Sequence, residues 1–156
     1  LPASSKKPDY LAAFVTTVGL GVQELAASWQ ANGDYLAAHI LRILALEGAE
    51  AMAELLHQRI RMMWGFGDNP NIEKRELFQA KYQGRRFSFG YPACPRLEDQ
   101  GKLWGLLNPD IHIGVQLTDG YMMDPEASVS AIVFHHPQAK YFNLSEKDVG
   151  DLEGLV

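Results

Sequence analysis

The stretch RFSFGYPACP, residues 86–95, holds one glycine, two prolines, three aromatic side chains, one arginine and the only cysteine of the chain. Proline locks φ and removes a backbone donor, so Pro92 and Pro95 exclude a continuous helix here. Gly90 permits backbone conformations, or a close approach of a ligand, that a Cβ would obstruct. The stretch therefore predicts a rigid irregular loop that carries one charged fork, Arg86. Such a fork binds carboxylate or phosphate through two parallel hydrogen bonds.

Outside this loop, the composition is that of one ordinary globular domain. The 156 residues, 47% hydrophobic and 21% charged, suffice for a single domain with a sizeable core. A net charge of −5 with scattered basic residues argues against a nucleic-acid partner. One cysteine excludes a disulfide framework and favours a reducing, cytoplasmic compartment. No apolar run approaches the ~20 residues of a membrane span, so no membrane association is expected.

The two ends of the sequence suggest a piece of a longer protein. The chain begins at Leu1 rather than Met, and residues 1–8 resemble an interdomain linker. Ser145 with Asp148 predicts the start of a last helix, of which residues 149–156 complete barely two turns. We expect residues 1–156 to form one domain cut from a longer chain.

Hydrophobic periodicity predicts an α+β fold. Before the loop, the predicted elements are a buried strand at 10–18, a short helix at 22–31, a long helix from an N-cap at Asp34 to about Trp64, and a helix at 72–82. After it come a helix at 97–107, strands at 113–117 and 128–134, and an extended piece at 141–144. These elements indicate a mostly antiparallel twisted sheet with one long helix and several shorter helices.

Two stripes of side chains run along the predicted long helix. The apolar stripe, predicted to face inward, consists of Leu36, Ile40, Ile43, Leu44, Ala51 and Leu55. The polar stripe, most simply a solvated face, consists of Glu47, Glu50, Glu54, His57 and Arg61. Glu50 and Glu54 are like charges four residues apart, which destabilises a bare helix by a few tenths of a kcal/mol. A cationic ligand or a neighbouring arginine would relieve that repulsion.

Patterns of metal-dependent or nucleophilic chemistry fail on spacing. The adjacent His135 and His136 would point to opposite sides of a strand, and His57 lacks the partner of an H-E-x-x-H motif, so no metal site is predicted. The serines of A-S-V-S (128–130) do not form a G-x-S-x-G elbow. Cys94 lies between prolines without a base, which is typical of a packed thiol. We predict no catalytic residue.

Four motifs, in order, resemble the activation domain of cobalamin-dependent methionine synthase. The most specific of them is R-x-x-x-G-Y-P-A-C-P at 86–95, which resembles the family's S-adenosylmethionine-binding signature. The others are PDYLAAFVTTVG (8–19), AEAMAELLHQRIR (49–61) followed by Trp64–Gly65, and LTDGYMMDPEASVSAIVFHHPQAKY (117–141). Because they span nearly the whole chain, an unrelated α+β domain with an accidental match is the weakest alternative.

The resemblance implies a set of S-adenosylmethionine-binding residues: Arg86, Glu50, Gly90, Tyr91, Ala93, Tyr141 and Phe142. In this set Arg86 binds the ligand's carboxylate, and Glu50 faces its ammonium or sulfonium end. Tyr141 and Phe142 contact the ligand largely through their backbone. Tyr91 faces the cobalamin when the domain closes over it.

The implied function is that of one module of a methyltransferase, 5-methyltetrahydrofolate–homocysteine methyltransferase, in methionine biosynthesis. The module presents S-adenosylmethionine for reductive methylation of inactive cob(II)alamin, which the cobalamin-binding domain of the same enzyme holds. Flavodoxin or a similar reductase supplies the electron. The isolated chain is not expected to be active alone.

One departure from the family keeps a second hypothesis open. The family's site also uses an aspartate from a part that precedes the linker-like segment, and the printed sequence begins after it. Either the chain is a fragment, or a separate piece completes the pocket. The alternative is a non-catalytic docking or regulatory module that caps a cobalamin domain or receives flavodoxin without binding S-adenosylmethionine.

Overall fold

Helices and antiparallel strands share the chain, and the structure, a computed structural model, describes residues 9–136, 138–144 and 148. The strands are β1 (Leu11–Thr17), β2 (Arg85–Ser88), β3 (Gln116–Leu117), β4 (Met123–Asp124) and β5 (Ser128–Phe134). The helices are α1 (Val22–Ala31), α2 (Tyr35–Met63), α3 (Lys74–Phe78), α4 (Gln100–Leu107), which follows a 3-10 turn at Leu97–Asp99, and α5 (Pro109–Ile113). The predicted α+β class is confirmed.

The main sheet has the order β1–β5–β2 and is antiparallel throughout, while β3 and β4 form a separate antiparallel pair. The central strand, β5, is made of small and β-branched residues, SVSAIVF, as expected for a strand covered on both faces. On one side it pairs with all seven residues of β1, and on the other with the four residues of β2.

A stripe of alanines attaches α2 to the sheet. Ala45, Ala49 and Ala53 are buried against Phe14 of β1 and the apolar side chains of β5. Side chains this small let the helix lie close to the strands, and the neighbouring Leu56 and Ile60 fill the margins of the contact. The core is therefore built around the alanine face of α2.

The predicted inward stripe of α2 was wrong. Leu36, Ile40, Ile43, Leu44, Ala51 and Leu55 are all exposed in the structure. Hydrophobic periodicity chose the face with the largest apolar side chains, whereas close packing on the sheet selects the face with the smallest.

The predicted solvated stripe was wrong at its C-terminal end. Glu47 and Glu50 are exposed as expected, but His57 and Arg61 are completely buried. The two belong to the same face of α2 as the alanines, one and two turns further along. Tyr82, which precedes β2, and Asp68, from the loop after α2, cover them.

Three further bounds differ from the prediction. Residues 86–88 belong to β2 rather than to a loop, because they pair with β5. The helix predicted at 72–82 is the five-residue α3, which ends before Ala80 takes a left-handed φ of 51°. Where a strand was predicted from 113, Pro109 starts the short α5 and only Gln116–Leu117 is extended. The last helix predicted from Ser145 lies outside the described residues.

Within the described part of the chain, no helix combines the length and the apolar character that a bilayer crossing requires.

Candidate functional site

A groove of about 800 Å³ lies between α2 and α3 and reaches the first residues of β2. Its polar end is lined by Glu50, Glu54, Tyr82 and Arg86, and its apolar side by residues that include Leu55 and Phe78. The α2 residues lie at helical spacing on one face, so the groove follows the helix axis. Charged groups of both signs therefore meet an apolar wall in one cavity.

Arg86 is the cation of this groove. It pairs with Val133 in the register of β2 and β5, and Val133 packs in the core that contains α2, so Arg86 projects from the same face of the sheet. Its Nη2 donates a hydrogen bond to Glu50 Oε2 at 3.2 Å. The other terminal nitrogen, Nη1, is buried without a hydrogen-bond partner among the described residues. One of the two terminal nitrogens of Arg86 is thus available to a ligand.

One helical turn after Glu50, a second contact joins α2 to the segment that precedes β2. The Tyr82 hydroxyl donates to Glu54 Oε2 at 3.3 Å, and Glu54 Oε1 lies 3.6 Å from Arg61 Nη2. Burial, followed by the charge of Glu54, raises the pKa of Tyr82, so the hydroxyl stays a donor. Glu54 is therefore held from two sides.

Beneath Tyr82, Arg61 forms a bidentate pair with Asp68, while its Nη1 is buried without a hydrogen-bond partner among the described residues. Its Nε and Nη2 donate to the two carboxylate oxygens of Asp68 at 2.8 and 2.7 Å, and its guanidinium carbon lies 3.7 Å from the centre of the Tyr82 ring. Hydrogen bonds from Arg61 are the main reason why the pKa of Asp68 is lowered. This bidentate pair fixes the loop after α2 against the helix.

His57 completes the layer below the groove as a neutral ring. It is fully buried, with its ring edge-on to Tyr82 at 5.2 Å between centroids. Burial, and then the nearby cations Arg61 and Arg86, lower the pKa of His57 to about 3. The imidazole is therefore uncharged at neutral pH and acts as a packing group.

The predicted loop is a tight turn that begins after β2. The Cys94 N–H donates to the Tyr91 carbonyl at 2.7 Å, and the Gly90 N–H donates to the Cys94 carbonyl at 2.9 Å. Gly90 has a φ of 80°, which favours glycine. Ala93 is buried and Tyr91 is 56% exposed. Burial raises the pKa of the Cys94 thiol, which suits a packed group rather than a nucleophile.

Residues 141–144 run beside this turn. The Leu144 N–H donates to the Pro92 carbonyl at 2.9 Å. The rings of Tyr141 and Phe142 contact Phe87, with centroids 5.6 and 5.7 Å away. Because Phe87 follows Arg86 in a strand, it points to the opposite face of β2. The two aromatic side chains thus lie across the sheet from Arg86.

The chain matches the family described as vitamin B12 dependent methionine synthase, activation domain, over residues 1–153. The chain belongs to this family. It is 38% identical over 154 residues to the methionine synthase of Mycobacterium tuberculosis and 41% identical over 117 residues to that of Mycobacterium leprae. These alignments cover 92% and 71% of the chain, but only 12% and 9% of the relatives' lengths.

A solved structure supports the same assignment for this activation domain. The crystal structure of the MetH reactivation domain bound to AdoHcy matches with a TM-score of 0.84 and 38% identity. The match covers 93% of the chain and 46% of the solved one.

The structure of this activation domain brings the predicted site residues into two groups that share Glu50. Arg86 and Glu50 form the polar end of the groove. A second pocket of about 160 Å³ is lined by Glu50 and by Tyr91 of the turn. Gly90 and Ala93 belong to the same turn. The side chains of Tyr141 and Phe142 lie in neither group and pack against Phe87.

Sequence reasoning missed the role of Tyr82 and the burial of His57 and Arg61. Helical spacing grouped residues 54, 57 and 61 in the polar stripe, but spacing alone does not show which of them are buried. Nothing in the local sequence marks Tyr82, whose bond to Glu54 joins residues 28 positions apart. Among the described residues, no cluster of three or more His, Cys, Asp or Glu side chains could hold a metal ion.

Proposed function

We propose that this chain binds S-adenosylmethionine, with the ligand's amino-acid end at Arg86, and serves as the reactivation module of a cobalamin-dependent methionine synthase. The observation that carries the proposal is that Arg86, at the end of an open groove, has a terminal nitrogen, Nη1, without a hydrogen-bond partner among the described residues. The similarity to a reactivation domain bound to AdoHcy supports it, because AdoHcy differs from S-adenosylmethionine by one methyl group and its charge.

The groups of the ligand have complementary partners here. A ligand carboxylate would take the place of Glu50 on Arg86, and the released Glu50 could then face a positive ammonium or sulfonium. Charge-assisted hydrogen bonds contribute about 1.5–3 kcal/mol each. Two or three such contacts reach the roughly −8 kcal/mol of micromolar binding when the site is preorganised. The turn with Pro92 and the buried layer beneath Tyr82 provide that rigidity.

Methyl transfer from a sulfonium needs little help from acid–base groups, because the leaving group is already activated. Positioning is the main requirement. The bond from sulfur to the methyl carbon breaks and S-adenosylhomocysteine leaves. Cobalamin, held by another domain of such an enzyme, supplies the reduced cobalt that accepts the methyl group. Tyr91, exposed in the turn beside the smaller pocket, is suited to meet the flat face of a corrin.

The same proposal includes an electron donor. Reduction of an inactive cob(II)alamin takes one electron, for which we propose flavodoxin or a similar reductase as the partner. A cytoplasmic location suits both this donor and the free thiol of Cys94.

Calorimetric titration with S-adenosylmethionine tests the proposal. We expect the chain to bind with micromolar affinity and Arg86→Ala to weaken binding at least tenfold. Arg59→Ala, the same charge change at an exposed position of α2, should leave the affinity unchanged. Circular dichroism of each variant controls for folding. Absence of binding to the unmodified chain would contradict the proposal and favour the docking module.

A further inference from the structure

Two buried polar atoms of residues that line the groove have no hydrogen-bond partner within the described structure. One is a donor, Nη1 of Arg86, and the other is an acceptor, Oε1 of Glu54. Buried polar groups in folded proteins are nearly always hydrogen-bonded. A ligand that presents one acceptor and one donor at this end of the groove would satisfy both atoms.

The spacing of the two residues suits a small ligand group. Glu50 contacts Arg86 and Glu54 contacts Tyr82, so two successive contacts connect α2 to the segment of residues 82–86. Side chains four residues apart on a helix have Cβ atoms about 5–6 Å apart. Glu54 therefore lies about one helical turn from the carboxylate position on Arg86. An α-amino-acid group carries its carboxylate and its ammonium on one carbon and can reach both.

Glu54 is better prepared for this role than the other carboxylates of the groove. Its side chain is held by the Tyr82 hydroxyl at 3.3 Å, and its Oε1 is only in ion-pair range of Arg61 at 3.6 Å. Arg61 already donates two short hydrogen bonds to Asp68. Glu54 thus has a fixed position and an oxygen, Oε1, that accepts no hydrogen bond among the described residues, a preorganised combination that favours binding.

Glu50 and Glu47, the other carboxylates of the groove, are less suited to bind the ligand. Glu50 is 56% exposed, and its hydrogen bond to Arg86 must break before a ligand carboxylate can bind there. Glu47 lines the groove from an exposed position. Neither is held by a buried neighbour in the way that Tyr82 and Arg61 hold Glu54.

We propose that Glu54 determines specificity in this site by binding the ammonium group of the ligand whose carboxylate Arg86 binds. The inference rests on the proposed function and adds which part of the ligand the site selects. The site would select the zwitterionic amino-acid end and discriminate against ligands with a carboxylate alone. A ligand without the ammonium would leave Glu54 Oε1 buried without a hydrogen bond.

The experiment compares two ligands on three proteins by calorimetric titration. The ligands are S-adenosylmethionine and its deaminated analogue, which keeps the carboxylate and the sulfonium but lacks the ammonium. The proteins are the unmodified chain, Glu54→Gln and the matched control Glu47→Gln, which makes the same charge change in the same groove. The readout is the ratio of the two affinities, since a general loss of structure would weaken both ligands together.

We expect the unmodified chain and Glu47→Gln to prefer S-adenosylmethionine at least tenfold. Glu54→Gln should lose most of that preference by weakening S-adenosylmethionine alone. Equal weakening of both ligands, or an unchanged ratio, would overturn the role of Glu54 and leave the proposed function intact. Failure of the unmodified chain to bind S-adenosylmethionine would overturn both.

Discussion

Arg61 belongs to α2 and Arg86 faces α2 from β2, and the two differ in burial and in their partners. Arg61 is completely buried, and two short hydrogen bonds join it to Asp68 under an aromatic ring. Arg86 is 18% exposed, shares one hydrogen bond with an exposed glutamate, and keeps a terminal nitrogen without a hydrogen-bond partner among the described residues. Arg61 Nη1 also lacks a hydrogen-bond partner among the described residues, but only Arg86 lines the groove where a ligand could bind.

The difference shows how one charged residue type can serve either the fold or the site. A buried ion pair with complete geometry fixes one loop arrangement, and its loss leaves an uncompensated charge. A partly exposed pair contributes little to stability and exchanges partners easily. Variants of the two residues should therefore separate stability from binding.

The largest expected effect is on the buried side of this comparison. Arg61→Ala leaves the Asp68 carboxylate, 4% exposed, without its partner and should lower the free energy of unfolding by about 3–5 kcal/mol. Urea denaturation measures the change. The double variant Arg61→Met with Asp68→Asn removes both charges and should recover most of the loss. A loss below about 1 kcal/mol for Arg61→Ala would mean that the two arginines are energetically alike.

The second effect is a pH dependence from His57, whose pKa is about 3 in the folded protein and roughly 6.5 in an unfolded chain. Between these values the unfolded chain binds one more proton, so acid favours unfolding. The free energy of unfolding should fall by about 1.4 kcal/mol per pH unit below roughly pH 6.5. Urea denaturation between about pH 7 and pH 4.5 measures the slope.

His57→Phe should remove that slope, whereas His39→Gln at an exposed position should keep it. An unchanged slope in His57→Phe would show that His57 does not titrate in this way. The lowered pKa of Asp68 affects the free energy of unfolding at lower pH than His57 does. Its contribution is present above the roughly 3.9 of an unfolded aspartate and is lost as the pH falls through its lower folded pKa.

A smaller effect is expected at Tyr82, which contacts both Arg61 and Glu54. Tyr82→Phe removes the 3.3 Å hydrogen bond to Glu54 but keeps the ring over Arg61, and should destabilise the protein by about 1 kcal/mol. Urea denaturation again gives the value. If Tyr82→Phe lowered the free energy of unfolding as much as Arg61→Ala, the hydroxyl would be as important for stability as the pair of Arg61 and Asp68.

The smallest effect on stability is expected for Arg86→Ala. A pair with an exposed partner contributes about 0.5 kcal/mol, and the substitution also removes a buried nitrogen without a hydrogen bond. Its unfolding midpoint in urea should therefore stay close to that of the unmodified chain. Destabilisation comparable to Arg61→Ala would make Arg86 a structural residue and would weaken its assignment to the ligand.

Long periodic segments were predictable from the sequence. The long helix predicted from Asp34 to about Trp64 is Tyr35–Met63, and the strand predicted at 128–134 is Ser128–Phe134. Their lengths and flanking glycine or loop residues determine them locally. Short elements were not predictable, because β2 exists only through its pairing with β5, and α5 starts at a proline that resembles a stop signal.

The facing of α2 and the lower layer of the site depend on tertiary structure. Ala45 and Ala49 carry little hydrophobic signal, so only the approach of the sheet reveals them as the buried face. The signature at 86–95 indicated Arg86, and helical repulsion directed attention to Glu50. The bond between Tyr82 and Glu54 joins distant segments and could be found only in the fold.

The bond from the Leu144 N–H to the Pro92 carbonyl closes a loop of about fifty residues, a span that a flexible chain brings together only against its entropy. Release of residues 141–144 from the turn must break this bond. Hydrogen exchange at the Leu144 amide would report that event directly. Any molecule that holds Tyr91 in place should slow this exchange, even without touching Leu144.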